Sequence, residues 1–167
     1  MDFKLRPIKE TDIDNLVKFA NNPKIAANLT NKFAYPYTKE HGLNFIQFAM
    51  SNTPAHVMAI TINDELVGGI GIHPQEDIQC KNAELGYWLA EPFWGNGIIS
   101  KAIPQMVEYG FKTFDINRIF ARPFGSNYAS QKVLEKAGFK LEARLSKTLF
   151  KNGEFQDELI YAIRKAD

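Results

Sequence analysis

Two glycines one residue apart, Gly95 and Gly97, lie between an apolar, aromatic run that ends at Ala90 and a long stretch of helical spacing that begins near Ile98. Residues of these types at such a junction are suited to holding an anion. The first amides of a helix have no intrahelical acceptor and point outward along its axis, and the aligned peptide dipoles add roughly half a positive charge there. Glycines on the approach remove the Cβ atoms that would keep a ligand off the backbone. Read as strand, tight turn and helix start, Glu84–Ser100 is a cradle for a phosphate or diphosphate. A P-loop needs Lys-Ser/Thr after its second glycine, where this chain has Ile98-Ile99. The dinucleotide fingerprint G-x-G-x-x-G is approached by Gly95, Gly97 and Ser100, but its third place takes Gly or Ala and the motif opens its fold. Here hairpin material precedes it, and only Asp115 stands near the place of the acidic partner. A glycine turn with no ligand at all is the remaining alternative.

The elements that must position this turn are legible on both sides. Phe3–Arg6 alternates as a short strand, and Thr11 is placed to cap a helix carrying Ile13, Leu16, Val17 and Ala20. A short helix near Lys24–Asn28 and one from Lys39 to Met50, capped by Thr38, follow. Then the period changes to that of strands. Val57–Ile62 and Leu66–Ile72 flank Asn63-Asp64 as a hairpin, and Ala83–Ala90 is the next strand. From Ile99 the apolar residues Ile103, Met106, Val107, Phe111 and Phe114 keep helical spacing, with Pro104 expected to kink or break the helix. Arg118–Arg122 reads as a strand, and Asn127–Ala137 as a capped helix stopped by Gly138. Leu141–Phe150 and Phe155–Ile163 flank an Asn152-Gly153 turn. Strands and helices alternate in the middle and hairpins lie at both ends, which is an α/β fold with a mixed sheet.

At 167 residues the chain fits one domain with a proper core, and a net charge of +1 with mixed signs leaves no electrostatic footprint for nucleic acid. No apolar run approaches the ~20 residues of a membrane span, and the start Met-Asp-Phe-Lys-Leu-Arg has no signal-peptide character. The lone Cys80 forms no internal disulfide, and the expected setting is the cytoplasm. His41, His56 and His73 share no metal-ligand spacing with one another or with Cys80, so no metal is expected. Tyr87, Trp88 and Trp94 read as core or sheet-face residues.

Several motifs in order carry a resemblance over almost the entire chain. These are Leu5-Arg-Pro7, Pro36-Tyr-Thr38, Glu84-Leu-Gly-Tyr-Trp-Leu89, Trp94-Gly-Asn-Gly97 and Asn127-Tyr-Ala-Ser130 leading to Gly138-Phe139. Together they resemble the Gcn5-related N-acetyltransferase (GNAT) superfamily, and within it the branch of the RimJ/RimL acetyltransferases of ribosomal-protein N-termini. The resemblance implies an acyl-CoA N-acyltransferase fold: a mixed central sheet of about seven strands, a parallel splayed pair in its middle, and helices on both faces. It also implies acetyl-CoA as acetyl donor, direct transfer to a primary amine in a ternary complex, and an amine acceptor that is a protein N-terminus or a small molecule. A homodimer is compatible with it. An alternative is a GNAT-fold module that binds acyl-CoA without turnover.

Carried over residue by residue, the resemblance assigns the diphosphate to the amides of Gly95, Gly97, Ile98, Ile99 and Ser100. The pantetheine arm pairs with the strand backbone around Leu85, Tyr87 and Leu89, as an added strand would. Asn127 reaches the cofactor as well, beside an ordinary N-cap role, and Lys132 contacts a CoA phosphate or stays solvated. The family pattern departs at Ile99, where Gly or Ala is usual. Acyl transfer to an amine needs a base, an oxyanion donor and a proton for the thiolate. Glu84 is expected as the base, activated by burial; a glutamate facing solvent or paired with a nearby cation is the alternative. A strand amide between Leu85 and Leu89 is the oxyanion donor. The tyrosine many members use as acid is replaced by Leu134, leaving Ser130 or Tyr128 as donors, or no dedicated acid at all, since a thiolate is a fair leaving group. Related folds bind the acceptor near Asn28–Tyr37 and Lys147–Glu158. Phe33, Tyr35 and Tyr37 are expected there as walls and Asp157 and Glu158 as a negative spot, unless they serve packing and solvation.

Overall fold

The computed structural model of the protein describes residues 1–167. Seven strands form one mixed sheet in the order β1-β2-β3-β4-β5-β7-β6. β1 (Lys4–Pro7), β2 (Val57–Ile62) and β3 (Glu65–Pro74) are followed by β4 (Asn82–Leu89), β5 (Arg118–Ala121), β6 (Lys140–Lys151) and β7 (Glu154–Arg164). β4 and β5 are parallel, while β1–β2, β2–β3, β5–β7 and β6–β7 are antiparallel. The mixed sheet and its parallel pair agree with the expectation. Both hairpin turns adopt the left-handed backbone that follows strand twist: Asn63 and Asp64 have φ of 50° and 65°, and Asn152 and Gly153 have 52° and 78°.

Five helices connect the strands: α1 (Ile13–Ala20), α2 (Pro23–Ala26), α3 (Lys39–Met50), α4 (Ile98–Thr113) and α5 (Tyr128–Lys136). Thr38 caps α3 as its sequence suggests. Thr38 Oγ1 accepts from the His41 amide at 3.3 Å, and His41 Nδ1 accepts from the Thr38 amide at 3.0 Å. Thr11 does not cap α1; it lies inside a 3-10 turn, Glu10–Asp12, that precedes the helix. The carboxylate of Asp12 takes the local amide instead, accepting from Lys9 N at 2.8 Å. Pro104 does not break its helix either, for α4 is continuous from Ile98 to Thr113. A buried interior proline bond costs about 3 kcal/mol, but Ile98, Ala102, Ile103 and Met106 form a wholly buried stripe along α4. At ~1.5–3 kcal/mol for each large side chain, burial of that stripe outweighs the lost bond.

The chain divides into two compact units, Met1–Gly71 with Tyr87–Ala102 and Ile72–Gly86 with Ile103–Asp167. In the first, Leu16, Ala20, Ile46, Ala49, Ala59, Leu66 and Trp88 belong to one apolar cluster. In the second, Ile72, Ile103, Met106, Ile119, Leu134 and Leu159 are buried. Gly110 lets α4 lie close to the strands there, since a Cβ on it would stand 3.3 Å from Ile119 and 3.4 Å from Ile72.

The first unit is also tied by charge. Arg6 donates to both oxygens of the buried Asp12, at 2.8 and 2.9 Å, and its Nε reaches Asp64 at 2.7 Å. Burial by itself pushes the Asp12 carboxyl up, but the bonds from Arg6 and the Lys9 amide outweigh it and leave the group below the usual range. A carboxyl depressed by folding stabilises above its unfolded value, and that stability is lost as pH falls through the folded value. Asp12→Asn is therefore expected to lower stability by about 2 kcal/mol at pH 7. Urea unfolding at pH 7 and at steps below pH ~4 checks this, because the gap between the two proteins must narrow as pH falls from the unfolded value through the lower folded one.

Candidate active site

The glycine turn has the geometry an anion cradle requires. Gly95 and Gly97 have φ of +77° and +70°, a left-handed backbone that side chains disfavour. No heavy atom beyond their chain neighbours comes within 4 Å of where a Cβ on either would stand, so both border open space. The Ile99 side chain therefore leaves the space over Gly95 and Gly97 clear. Ile98 is 1% exposed, buried in the core, and Ile99 and Ser100 are half-buried. The first helical bond of α4 runs from Lys101 N to Gly97 O, at 3.3 Å. By helix geometry the amides of Gly97, Ile98, Ile99 and Ser100 then have no intrahelical acceptor.

Side chains around the turn hold it in shape. Asn96 donates to the carbonyls of Phe93 and Trp94 at 3.0 and 3.2 Å. Trp94 donates its indole N–H to Leu89 O at 2.7 Å, tying the turn to the end of β4. It is 44% exposed, so the expectation of a core or sheet-face residue fails for Trp94. Its polar edge finds the last carbonyl of β4 while the ring stays half in water. Trp88, by contrast, is buried in the first unit's cluster. The short turn Glu91–Phe93 is anchored by Glu91, which accepts from Asn22 at 2.8 Å and pairs with Lys24.

The parallel ladder pairs Asn82 with Arg118, Ala83 with Ile119 and Glu84 with Phe120, and there it stops. β4 continues to Leu89, so its stretch from Leu85 onward leaves the ladder with β5. Leu85 and Leu89 are buried, and Tyr87 is half-buried. Glu84 stands at the ladder's end. Its side chain is 29% exposed and meets Arg122, whose Nη2 lies 3.0 Å from Oε2 and 3.2 Å from Oε1. The expectation that apolar burial activates Glu84 is thus replaced by a cation partner, because β5 delivers Arg122 two residues past Phe120. Arg122 Nη1 also approaches Glu158 of β7 at 3.5 Å, and the Glu158 side chain is 10% exposed. Gly86, one pleat beyond Glu84 on the same side, is exposed and borders open space.

Asn127 caps α5, its Oδ1 accepting from Ser130 N at 3.2 Å. The loop before it is sewn down by Leu159 N to Pro123 O at 3.0 Å and Gly125 N to Asp157 O at 2.8 Å. Gln131 adds bonds to the carbonyls of Phe124 and Gly125 at 3.2 and 3.1 Å. Ser130 is half-buried, Tyr128 is exposed, and Leu134 is wholly buried.

A family model for the acetyltransferase (GNAT) domain matches residues 2–140. The chain belongs to the GNAT acetyltransferase family. It is 38% identical over 101 residues to the uncharacterized N-acetyltransferase YoaA of Bacillus subtilis (strain 168), covering 60% of this chain and 56% of that one. It is 33% identical over 108 residues to the ribosomal-protein-serine acetyltransferase of Escherichia coli (strain K12), covering 65% and 60%. In both, the match spans less than two thirds of the relative's length. The solved structure of RimL, a ribosomal-protein α-N-acetyltransferase, in complex with coenzyme A superposes with a TM-score of 0.85 at 26% identity. That superposition covers 97% of this chain and 93% of RimL.

Within this GNAT chain the residues expected around the acceptor fare unequally. Tyr37 is buried, with Phe33 packed on it at 5.2 Å between ring centroids and on Trp88 at 5.7 Å. Burial pushes the Tyr37 phenol up to about 12. Tyr37 is thus part of the core rather than a groove wall, because its ring completes the cluster under α3. Tyr35 is exposed. Asp157 and Glu158 do not form a free negative spot. The Lys147 amide and the Arg144 guanidinium hold the Asp157 carboxyl below its usual range, and Glu158 is paired with Arg122. Cys80 is exposed, and no group of three or more His, Cys, Asp or Glu side chains is placed to hold a metal ion. No helix is long and apolar enough to cross a membrane. Arg122 is the residue to which the sequence alone gave no role. The signal for Arg122 was present as a basic residue at the end of the strand expected to run beside Glu84.

Proposed function

We propose that the protein is an acetyl-CoA-dependent N-acetyltransferase that passes the acetyl group directly to a primary amine, with a protein N-terminal α-amine as the favoured acceptor. The observation that carries this reading is the open start of α4 at Gly95 and Gly97, in a chain of the GNAT family. The amides of Gly95, Gly97, Ile98, Ile99 and Ser100 hold the diphosphate, and the backbone at Leu85, Tyr87 and Leu89 receives the pantetheine arm. Asn127 supports the cofactor while it caps α5. When bound, acetyl-CoA supplies the activated acyl group; the rest falls to side chains and amides of this chain.

Glu84 takes the proton of the attacking amine. An amide of β4 between Leu85 and Leu89 donates to the developing oxyanion, the kind of preorganised donor that contributes most to acyl transfer. The thiolate is a fair leaving group and needs no dedicated acid; the Ser130 hydroxyl relays a solvent proton to it. Leu134 has no part in this step, since its side chain is wholly buried. The N-terminal acceptor is supported by RimL and by the ribosomal-protein-serine acetyltransferase among the similar proteins.

Calorimetry with acetyl-CoA, followed by thiol release over N-terminal peptides, polyamines and aminoglycosides, tests the reading. Binding in the micromolar range and turnover that is fastest with peptide α-amines is the expected outcome. Clear binding with every acceptor silent points to the acyl-CoA-binding module instead, and no binding removes both.

A further inference from the structure

We propose that Arg122 is a positioning residue for acyl transfer, aiming the Glu84 carboxylate; this rests on the reading of Glu84 as the base. Arg122 reaches both oxygens of Glu84, with Nη2 at 3.0 and 3.2 Å and Nε at 3.2 Å from Oε1. Such a fork fixes the plane of a carboxylate as well as its position. A strand glutamate without it samples several rotamers, and ordering it has an entropic cost. One edge of the carboxylate accepts from the guanidinium, and its remaining lone pairs stay available for a proton.

The origin of Arg122 is itself held. It follows directly on the Ala121–Tyr161 pair of the β5–β7 ladder. The next residues are bonded through Pro123 O to Leu159 N and Gly125 N to Asp157 O. There is no slack, because a Cβ on Gly125 would come within 2.8 Å of the Asp157 Cβ. The third arm of the guanidinium approaches Glu158 at 3.5 Å. A cation between two carboxylates removes the repulsion that would otherwise swing Glu84 away. On the pleat beyond, Gly86 leaves open space where a side chain would stand.

Full-length Arg122→Gln and Arg122→Lys, each alone and combined with Glu84→Gln, are assayed for thiol release with acetyl-CoA and an acceptor peptide. Arg122→Gln is expected to lower kcat roughly tenfold to hundredfold, with KM for acetyl-CoA within about twofold. Arg122→Lys restores part of the loss, since it keeps the charge without the fork. In the Glu84→Gln background the Arg122 change costs less than about twofold more, because the group it aims is gone. A wild-type kcat, a rise in KM alone, or equal losses in both backgrounds overturns the proposal. If Arg122→Gln does not fold, the same cycle with Arg122→Lys decides by the same criteria. Wild-type kcat in Glu84→Gln removes the base reading, and this inference with it. A disabled Glu84→Gln beside an indifferent Arg122 removes only the positioning role.

Discussion

With Glu84 as the proposed base, Glu84→Gln is expected to lower kcat by roughly 10²- to 10³-fold and to leave KM for acetyl-CoA within about twofold. The glutamine keeps the size of the side chain and one carbonyl that accepts from Arg122. What disappears is the lone pair that takes the proton of an ammonium, and the amine waits in its protonated form. Arg122 Nη2 lies 3.2 and 3.0 Å from the two carboxylate oxygens, so the glutamine NH2 meets a guanidinium donor and half of the fork is lost, and a thermal melt alongside separates that loss from the loss of the base. Steady-state thiol release with a peptide acceptor measures it. Direct binding of acetyl-CoA by calorimetry must stay unchanged, because Glu84 has no share in holding the diphosphate. A kcat within about threefold of the parent returns Glu84 to the role of a structural ion-pair partner.

Gly97→Val is expected to weaken acetyl-CoA binding by about a hundredfold, or ~2.7 kcal/mol. Two effects combine. The backbone there has a φ of +70°, where a β-branched residue is strained by roughly 1–3 kcal/mol. The new side chain also enters the open space that the cradle offers, and oxygens held back from the amides of Ile98, Ile99 and Ser100 lose hydrogen bonds strengthened by charge. Gly153 supplies the control. It has a φ of +78°, it also borders open space, and it sits in the β6–β7 turn. Gly153→Val suffers similar strain and should lower the unfolding midpoint while leaving acetyl-CoA affinity unchanged. Calorimetry on both variants, with thermal melts alongside, separates cradle from strain. Equal affinity losses in the two would show that strain alone accounts for the effect.

Much of the fold was legible because many decisions are made within a few residues of chain. The cap of α3 by Thr38, the cap of α5 by Asn127, the stop at Gly138 and the turn at Asn152-Gly153 each depend on local hydrogen bonds or on a positive φ. Local rules also misled where an environment competed with them. Thr11 is a good cap by type, but it falls inside the 3-10 turn that Asp12 holds by accepting from Lys9 N and from Arg6, so it never reaches the start of α1. Pro104 is a helix breaker by type, but the buried stripe of α4 outweighs one missing bond.

The candidate site divides along the same line. The sequence by itself determined the strand, glycine turn and helix start of Glu84–Ser100, and with them an end of backbone amides open to a diphosphate. It did so because glycine at positive φ and unsatisfied first-turn amides are properties of contiguous chain. Only the tertiary structure decided that Glu84 meets Arg122 and that Arg122 also reaches Glu158. It also decided that Tyr37 fills the core instead of lining a groove. Those partners lie on separate strands or pack across the sheet, and Glu84 and Arg122 are 38 positions apart. Which side chains meet at that range follows from sheet order and register, and no local spacing encodes either.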